Sequence, residues 1–205
     1  MSYHNAQLML KCHKEKGETF MYKIDLISSS TTHLDEIETI YTEAFPENER
    51  MPFQRMMLLC QDERYAMFSL ISENMCCGFS FIMRHQDMIY LFYLAVRKDQ
   101  RGKGIGSILL NDLFFRYPDH WLCADIEAPQ PQADNQEQRL QRRQFYLDRG
   151  FSDSGYRNRW YGVDYDILTA QKPFKLPVYQ SAVDLLQTAR YPAHIFKRNE
   201  GRSDE

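Results

Sequence analysis

The chain has 205 residues, of which 43% are hydrophobic and 14% aromatic, enough for one sizeable core that folds without disulfides. Its 25 lysines and arginines against 28 aspartates and glutamates give a net charge of −3, so no polybasic surface predicts binding to nucleic acid or to an anionic membrane. The five cysteines lack metal-ligand spacing, and no apolar run reaches the length of a membrane span. Composition therefore predicts a reduced, cytoplasmic protein.

The hydrophobic pattern predicts one α/β domain over residues 21–170, with additions at both ends. Residues 1–20 are polar and aperiodic, which predicts a poorly ordered extension and leaves open whether Met1 or Met21 is the natural start. The predicted elements in chain order are a strand at 22–28, helices at 32–44 and 53–60, strands at 65–72, 77–84 and 88–96, a helix at 105–118, a strand at 121–127, a helix at 136–149, and strands at 151–157 and 162–169. Residues 171–196 are expected to add a C-terminal helix packed on the domain, and residues 197–205 a disordered tail.

A glycine-rich segment, Gln100 to Gly106, lies between the predicted strand 88–96 and the next helix. It is not a dinucleotide fingerprint, because Ser107 stands where the third glycine is needed, and it lacks the G-K-[ST] of a P-loop. Small residues before a helix N-terminus leave backbone amides accessible to an anion such as a pyrophosphate. A turn that only reverses the chain is the alternative.

Three patterns follow one another along the chain: Leu94-Ala95-Val96, then Arg101-x-x-Gly104-x-Gly106 opening a helix, then Phe145-Tyr146-x-x-x-Gly150-Phe151. Together they resemble the GNAT superfamily of coenzyme A-dependent N-acetyltransferases, over residues 22–169. The resemblance implies an α/β (α+β) fold with a mixed, mostly antiparallel central sheet that contains a splayed parallel strand pair and is flanked by helices.

The resemblance also implies acetyl-CoA as cosubstrate, without a metal. Main-chain groups of Leu94 and Val96 are expected to pair with the pantetheine arm, in a cleft between the strands at 88–96 and 121–127. Amides of the glycine-rich loop are expected to cradle the pyrophosphate. The loop residues are Arg101, Gly102, Lys103, Gly104, Ile105, Gly106 and Ser107.

Acetyl transfer needs a neutral amine and a protonated leaving thiol. Neutralising an alkylammonium at pH 7 costs about 4 to 5 kcal/mol, so Glu127 at a strand end is the candidate base, with Asp125, on the same strand face, or water as alternatives. The resemblance places Tyr146 where the family often has its general acid, and a core tyrosine is the alternative reading.

The helix before Tyr146 departs from the family pattern. Arg139 and Arg142 stand where many members carry Asn and Ala. With Arg143 they are either candidate ligands of the coenzyme A phosphates or a solvated charged face.

The expected activity is transfer of an acetyl group from acetyl-CoA to a primary amine by direct attack in a ternary complex. The acceptor is expected to be a small molecule or a peptide. Four acidic residues, Glu47, Glu49, Asp62 and Glu63, are candidates to surround the entrance and attract its cationic amine, and an ordinary acidic loop surface is the alternative. Alternatives are a non-catalytic acyl-CoA sensor or interaction module and an N-acyltransferase for a longer acyl donor. A homodimer through an apolar face of the C-terminal helix is a further expectation.

Overall fold

The computed structural model describes residues 8–15, 18–28, 31–160, 162–186 and 193–198. The chain divides into two compact units, Met1–Arg84 with Leu91–Pro118, and His85–Tyr90 with Asp119–Glu205. The first unit holds β1 Leu8–Glu15, β2 Glu18–Leu26, α1 Leu34–Ala44, α2 Phe53–Leu59, β3 Tyr65–Ser72, β4 Met75–His85, most of β5 Met88–Val96, and α3 Ile105–Arg116. The second holds β6 Trp121–Glu127, α4 Gln136–Leu147, β7 Ser152–Trp160, β8 Val163–Ala170, α5 Leu176–Leu186 and β9 His194–Lys197.

Antiparallel strands in sequential order form the sheet of the first unit, β1-β2-β3-β4-β5. The predicted hairpin between β3 and β4 turns at Glu73 and Asn74, which both adopt positive φ, as a two-residue type I′ turn requires. β3 is buried along its whole length, and β4 along most of it, so these two strands form the centre of the unit.

Helices cover both faces of this sheet. Tyr41 of α1 packs against Phe79 of β4 and Tyr93 of β5, with ring centroids 6.1 and 4.9 Å apart. α3 packs on the opposite face at Gly78, because neighbouring residues of a strand point to opposite sides. The strand end that leads into the glycine-rich loop is thus held between two helical layers.

The second unit is antiparallel in the order β6-β8-β7-β9. The first residues of β5 run parallel to β6, since the amide of Trp121 donates to the carbonyl of Asp87 (3.0 Å) and the hydroxyl of Tyr90 donates to Asp125 (2.9 Å). The described residues therefore form a mixed, mostly antiparallel arrangement with one parallel pair, flanked by five helices, and the predicted fold class is confirmed.

α5 lies in the segment where a C-terminal helix was expected, and it is built into the core of the second unit. Tyr179, Ala182 and Val183 are fully buried. Phe174, just before the helix, packs edge-on against Trp121 with centroids 5.9 Å apart. Leu185 is an exposed apolar residue of this helix, and a homodimer contact there stays a prediction.

Both ends of the chain differ from the sequence expectation. Leu8–Glu15 forms β1 and pairs with β2, which begins at Glu18. His194–Lys197 forms β9, which pairs with β7. Neither segment has the run of alternating apolar and polar residues that would predict a strand, and β9 is only four residues long. Residues 1–7 and 199–205 lie outside the described part, and no helix within that part is long and apolar enough to cross a membrane.

Candidate active site

The glycine-rich loop takes a conformation that only glycine adopts readily. After β5 the chain makes a short 3-10 turn at Lys98–Gln100, and Gly102 and Gly104 then have φ of +79° and +77°. A Cβ atom at either glycine would meet nothing within 4 Å. The two glycines therefore serve the backbone turn, and the space beside them is open to a ligand.

Helix α3 starts directly after this turn. Its N-cap residue is Gly104, which has no side chain to cap the first amides, and Ile105 is buried and fixes the first turn. Backbone amides and the helix dipole at such an end favour an anion. The loop thus has the geometry expected of a pyrophosphate site.

Two cations remain available at this loop. Arg101 and Lys103 are exposed, and Arg101 Nε donates to the carbonyl of Val96 (3.3 Å) while Lys103 Nζ donates to Gln100 Oε1 (3.0 Å). Neither forms an ion pair with a carboxylate among the described residues. Their charges can therefore meet phosphate groups without first breaking a salt bridge.

An acidic side chain from α1 fixes the strand end before the loop. Glu36 Oε2 accepts the amide of Cys76 (2.9 Å) and lies 3.4 Å from Arg97, whose own amide bonds the carbonyl of Cys77. Burial acts to raise the pKa of Glu36, but hydrogen bonds from His33 and the Cys76 amide outweigh it and lower that pKa. No local sequence pattern predicts this ion pair, because Glu36 and Arg97 are far apart along the chain.

Tyr146 lies at the end of α4, and its aromatic ring is held between two others. Its ring centroid is 5.2 Å from that of Phe145 and 5.0 Å from that of Phe151, and the residue is 6% exposed. Gly150, with φ of +82°, ends the helix as predicted, and the Phe151 amide returns to the Tyr146 carbonyl (3.2 Å). The F-Y-x-x-x-G-F pattern therefore supplies the two phenylalanines, Phe145 and Phe151, that hold the Tyr146 ring between them; we call this pair the aromatic clamp.

The hydroxyl of Tyr146 has no hydrogen-bond partner among the described residues, in contrast to the hydroxyls of Tyr41 and Tyr179. Tyr41 donates to the carbonyl of Met51 (2.9 Å), and Tyr179 donates to Asp125 (2.5 Å). Burial raises the pKa of Tyr146 to about 12, against a lowering by the charge of Arg142. The phenol is protonated at neutral pH and has a proton to donate.

Glu127, the predicted base, is 6% exposed and already engaged by two guanidinium groups. Its Oε1 lies 2.9 Å from Arg139 Nη2, and its Oε2 lies 2.9 Å from Arg142 Nη1. The amide of Asn135 adds contacts of 3.4 Å to both oxygens. A proton arriving at this carboxylate would have to displace a charged hydrogen bond, so the structure does not favour Glu127 as a free base.

Asp125, the alternative base, is buried in the second unit beneath α5. One of its oxygens accepts hydrogen bonds from Tyr90 (2.9 Å), Tyr179 (2.5 Å) and Asn158 (3.2 Å). Burial raises the pKa of Asp125 to about 6, and the three hydrogen bonds act in the opposite direction. These contacts make Asp125 an anchor of α5 rather than an accessible proton acceptor.

The arginines of α4 are also committed to carboxylates. Arg139 and Arg142 hold Glu127, while Arg143 bonds Asp153 (2.6 Å) and Asp166 (2.9 Å). Of the two interpretations of this cluster, phosphate ligands or a charged face, the contacts favour a structural ion-pair network. The described residues contain no group of three or more His, Cys, Asp or Glu side chains placed to hold a metal ion.

The predicted site residues divide between the units. Leu94, Val96 and the loop from Arg101 to Ser107 belong to the first unit, whereas Glu127 and Tyr146 belong to the second. Sequence reasoning missed Gly78, a glycine inside a buried strand, which is a known signal of a close backbone approach. A Cβ at Gly78 would lie 2.7 Å from the carbonyl oxygen of Ala95 and 3.2 Å from Ile105 Cγ2.

Solved structures with the same fold are acetyltransferases. A protein from Bacteroides thetaiotaomicron described as a GNAT-family acetyltransferase has a TM-score of 0.63 at 18% identity, covering 82% of this chain and 97% of that one. The ribosomal-protein-S18-alanine N-acetyltransferase from Escherichia coli has a TM-score of 0.55 at 23% identity, covering 74% and 96%. An aminoglycoside 6'-N-acetyltransferase complexed with coenzyme A has a TM-score of 0.59 at 13% identity, covering 74% and 99%.

At these identities the likeness shows the fold, and a search of curated proteins gives no match. The sequence supplies the stronger finding. Residues 34–151, more than half of the chain, match the family model described as the acetyltransferase (GNAT) family. The matched segment contains the turn that opens α3 and the aromatic clamp on Tyr146. The chain belongs to the GNAT family of acetyltransferases and is an acyltransferase.

Proposed function

We propose that this acyltransferase moves an acetyl group from acetyl-CoA to a primary amine by direct attack in a ternary complex. The observation that carries the donor assignment is the loop before α3. Gly102 and Gly104 leave open space beside uncapped helix amides, and Arg101 and Lys103 carry charges not paired with a carboxylate among the described residues. A pyrophosphate is an anion of the size and charge that such a loop binds.

In the proposed reaction Tyr146 is the general acid. The amine nitrogen attacks the thioester carbonyl carbon, a C–N bond forms, and the C–S bond breaks as the departing sulfur takes the proton of Tyr146. Solvent then returns a proton to the tyrosinate. Two observations support this role: the ring of Tyr146 is held between Phe145 and Phe151, and its hydroxyl has no hydrogen-bond partner among the described residues. Buried tyrosines that serve only packing usually have a hydrogen-bonded hydroxyl, as Tyr41 does.

Water is the proposed acceptor of the amine's proton. Glu127 is held by Arg139 and Arg142, and Asp125 is held by two tyrosines and an asparagine. Using either carboxylate would break charged or buried hydrogen bonds at a cost of several kcal/mol. A water molecule in contact with solvent carries no such cost.

The proposed acceptor is a cationic small-molecule or peptide amine that meets the segment between α1 and α2. Tyr93 ties this segment down, since its hydroxyl donates to the Glu49 carbonyl (3.1 Å) and accepts the Met51 amide (3.2 Å). Glu47 and Glu49 add negative charge on a short turn there. The E. coli and aminoglycoside enzymes act, by their descriptions, on a protein alanine and on an aminoglycoside, so the fold accommodates both acceptor classes.

The test measures free thiol released from acetyl-CoA in the presence of a panel of small and peptide amines, with Tyr146→Phe and Tyr179→Phe as variants. Tyr146→Phe is expected to lower turnover by about 100-fold or more, with unchanged acetyl-CoA affinity and melting temperature. Tyr179→Phe removes a structural hydroxyl and is expected to lower the melting temperature while turnover persists.

Two outcomes would overturn the proposal. Full turnover by Tyr146→Phe would exclude this residue as the acid. Acetyl-CoA binding without turnover of any amine would favour the acyl-CoA sensor. Including a longer acyl-CoA in the same assay tests the remaining alternative, a preference for a larger acyl group.

A further inference from the structure

Arg142 precedes Tyr146 by one helical turn on α4. Residues four apart lie on the same side of a helix, so Arg142 and Tyr146 project from the same side of α4. The positive charge of Arg142 acts on the phenol and lowers its pKa against the effect of burial. Arg142 stands at one of the two positions where this chain departs from the pattern of many family members. The neighbourhood of Tyr146 thus contains a cation that the motif itself does not require.

Glu127 fixes the position of that cation. Its Oε2 accepts a hydrogen bond from Arg142 Nη1 at 2.9 Å, and the carboxylate is itself held by Arg139 and Asn135. A long arginine side chain that is 37% exposed would otherwise sample many conformers. The ion pair restricts it to the side of α4 that carries Tyr146.

The other charged groups around Tyr146 are engaged elsewhere. Arg139 lies nearly two turns before the tyrosine, and Arg143 is bound to Asp153 and Asp166. Arg149 stacks over the Phe145 ring at 3.9 Å and donates to the Phe145 carbonyl. Arg142 is the charge that lowers the pKa of Tyr146 against the effect of burial.

We propose that Arg142 is a positioning residue of the reaction, held by Glu127 so that its positive charge stabilises the phenolate left when Tyr146 gives its proton to the thiolate. The inference rests on the proposed role of Tyr146 as general acid. A buried phenol is a weak acid, and a fixed cation beside it brings its proton affinity closer to that of the leaving thiolate. Glu127 then serves the reaction through Arg142 and not as a base.

The experiment measures the ionisation of Tyr146 directly. A fluorinated tyrosine placed at position 146 brings the phenol's pKa into a range where the protein stays folded, and absorbance follows its titration. Arg142→Gln is expected to raise that pKa by roughly 0.5 to 1 unit. Arg139→Gln is the matched control. It also removes one positive charge and one 2.9 Å contact with Glu127, but Arg139 lies farther from Tyr146 along α4 than Arg142 does. It is expected to leave the pKa unchanged.

An equal shift in both variants, or no shift in Arg142→Gln, would overturn the proposal. Should Arg142→Gln not fold, salt provides a second measurement on the otherwise unmodified protein. Since ions screen the charge of a partly exposed guanidinium, added potassium chloride is expected to raise the pKa of the residue at position 146. A pKa independent of salt would contradict the proposal.

The titration does not depend on turnover, so it separates this inference from the proposed function. Unreduced turnover in Tyr146→Phe would contradict the general-acid role. An unshifted pKa in Arg142→Gln would contradict only the positioning role of Arg142. Under the proposal, Arg142→Gln also lowers kcat several-fold without raising the KM for acetyl-CoA, and Arg142→Lys restores part of the loss.

Discussion

Gly78 shows how the absence of a side chain allows β4, β5 and the start of α3 to approach one another beside the proposed donor loop. It lies in β4, and its Cα faces the carbonyl of Ala95 on β5 and the side chain of Ile105 at the start of α3. The residues that flank Ala95, Leu94 and Val96, are those proposed to pair with pantetheine through their main chain. A side chain at position 78 would therefore move the backbone that is proposed to bind the donor.

We expect Gly78→Ala to lower the free energy of unfolding by about 1 to 3 kcal/mol and to weaken acetyl-CoA binding. The new Cβ would stand 2.7 Å from a backbone oxygen, which cannot rotate away as a side chain does. Chemical denaturation and calorimetric titration measure the two effects. Gly155→Ala is the control, because its φ of +78° imposes strain but its Cβ meets nothing within 4 Å, so donor affinity should not change. Wild-type affinity in Gly78→Ala would refute the link between this glycine and the donor site.

At the scale of elements, α5 is anchored by a buried carboxyl group. Tyr179 on the helix and Asn158 on β7 both donate to Asp125, and Asn158 also bonds the hydroxyl of Tyr179 (3.0 Å). His85 adds a contact of 2.7 Å to Ser181. The C-terminal helix is therefore part of the second unit's core and not a detachable addition.

This anchor predicts a pH dependence of stability. Because burial raises the pKa of Asp125 from 3.8 to about 6, the folded protein retains a proton that the unfolded chain releases between about pH 4 and pH 6. The stability from this group is fully present below about pH 4 and is lost as the pH rises through 6. The loss amounts to about 3 kcal/mol at pH 7.

Asparagine does not titrate, so we expect the Asp125→Asn variant not to lose stability from this position as the pH rises. The free energy of unfolding of the variant should therefore increase relative to that of the wild type between pH 4.5 and pH 7.5. Denaturation curves across this range measure the difference. Asp164→Asn is a control of opposite sign, because the hydrogen bond from Arg159 lowers the pKa of Asp164. A difference between Asp125→Asn and wild type that is constant with pH would show that Asp125 keeps its ordinary pKa.

For the molecule as a whole, the sequence predicted the features that local pattern determines. The order of helices and strands from 22 to 169 follows from hydrophobic period, and the conformations of Gly104 and Gly150 follow from their places at helix ends. The rings that hold Tyr146 also come from nearby residues of the sequence, Phe145 and Phe151. These features need no knowledge of which distant segments meet.

The features that the sequence did not predict depend on contacts between segments that are far apart along the chain. β1 and β9 form by main-chain pairing with strands that the sequence does not specify. The sequence places Glu127 at a strand end as the candidate base, but no local pattern predicts that Arg139 and Arg142 of α4 both contact its carboxylate. A glycine in a strand signals a close approach, but the sequence does not show that β5 and the start of α3 are what approach Gly78.

The loop from Arg101 to Ser107 is central to the proposed function as the donor site, and isothermal titration with acetyl-CoA tests it most directly. We predict micromolar binding to the wild type and none to Gly104→Glu, whose side chain would put a negative charge where the pyrophosphate belongs. Gly155→Glu is the matched control, with the same positive φ and the same added charge in the second unit, and it should bind normally. A folded wild-type protein that does not bind acetyl-CoA, or equal binding by Gly104→Glu, would contradict the donor assignment.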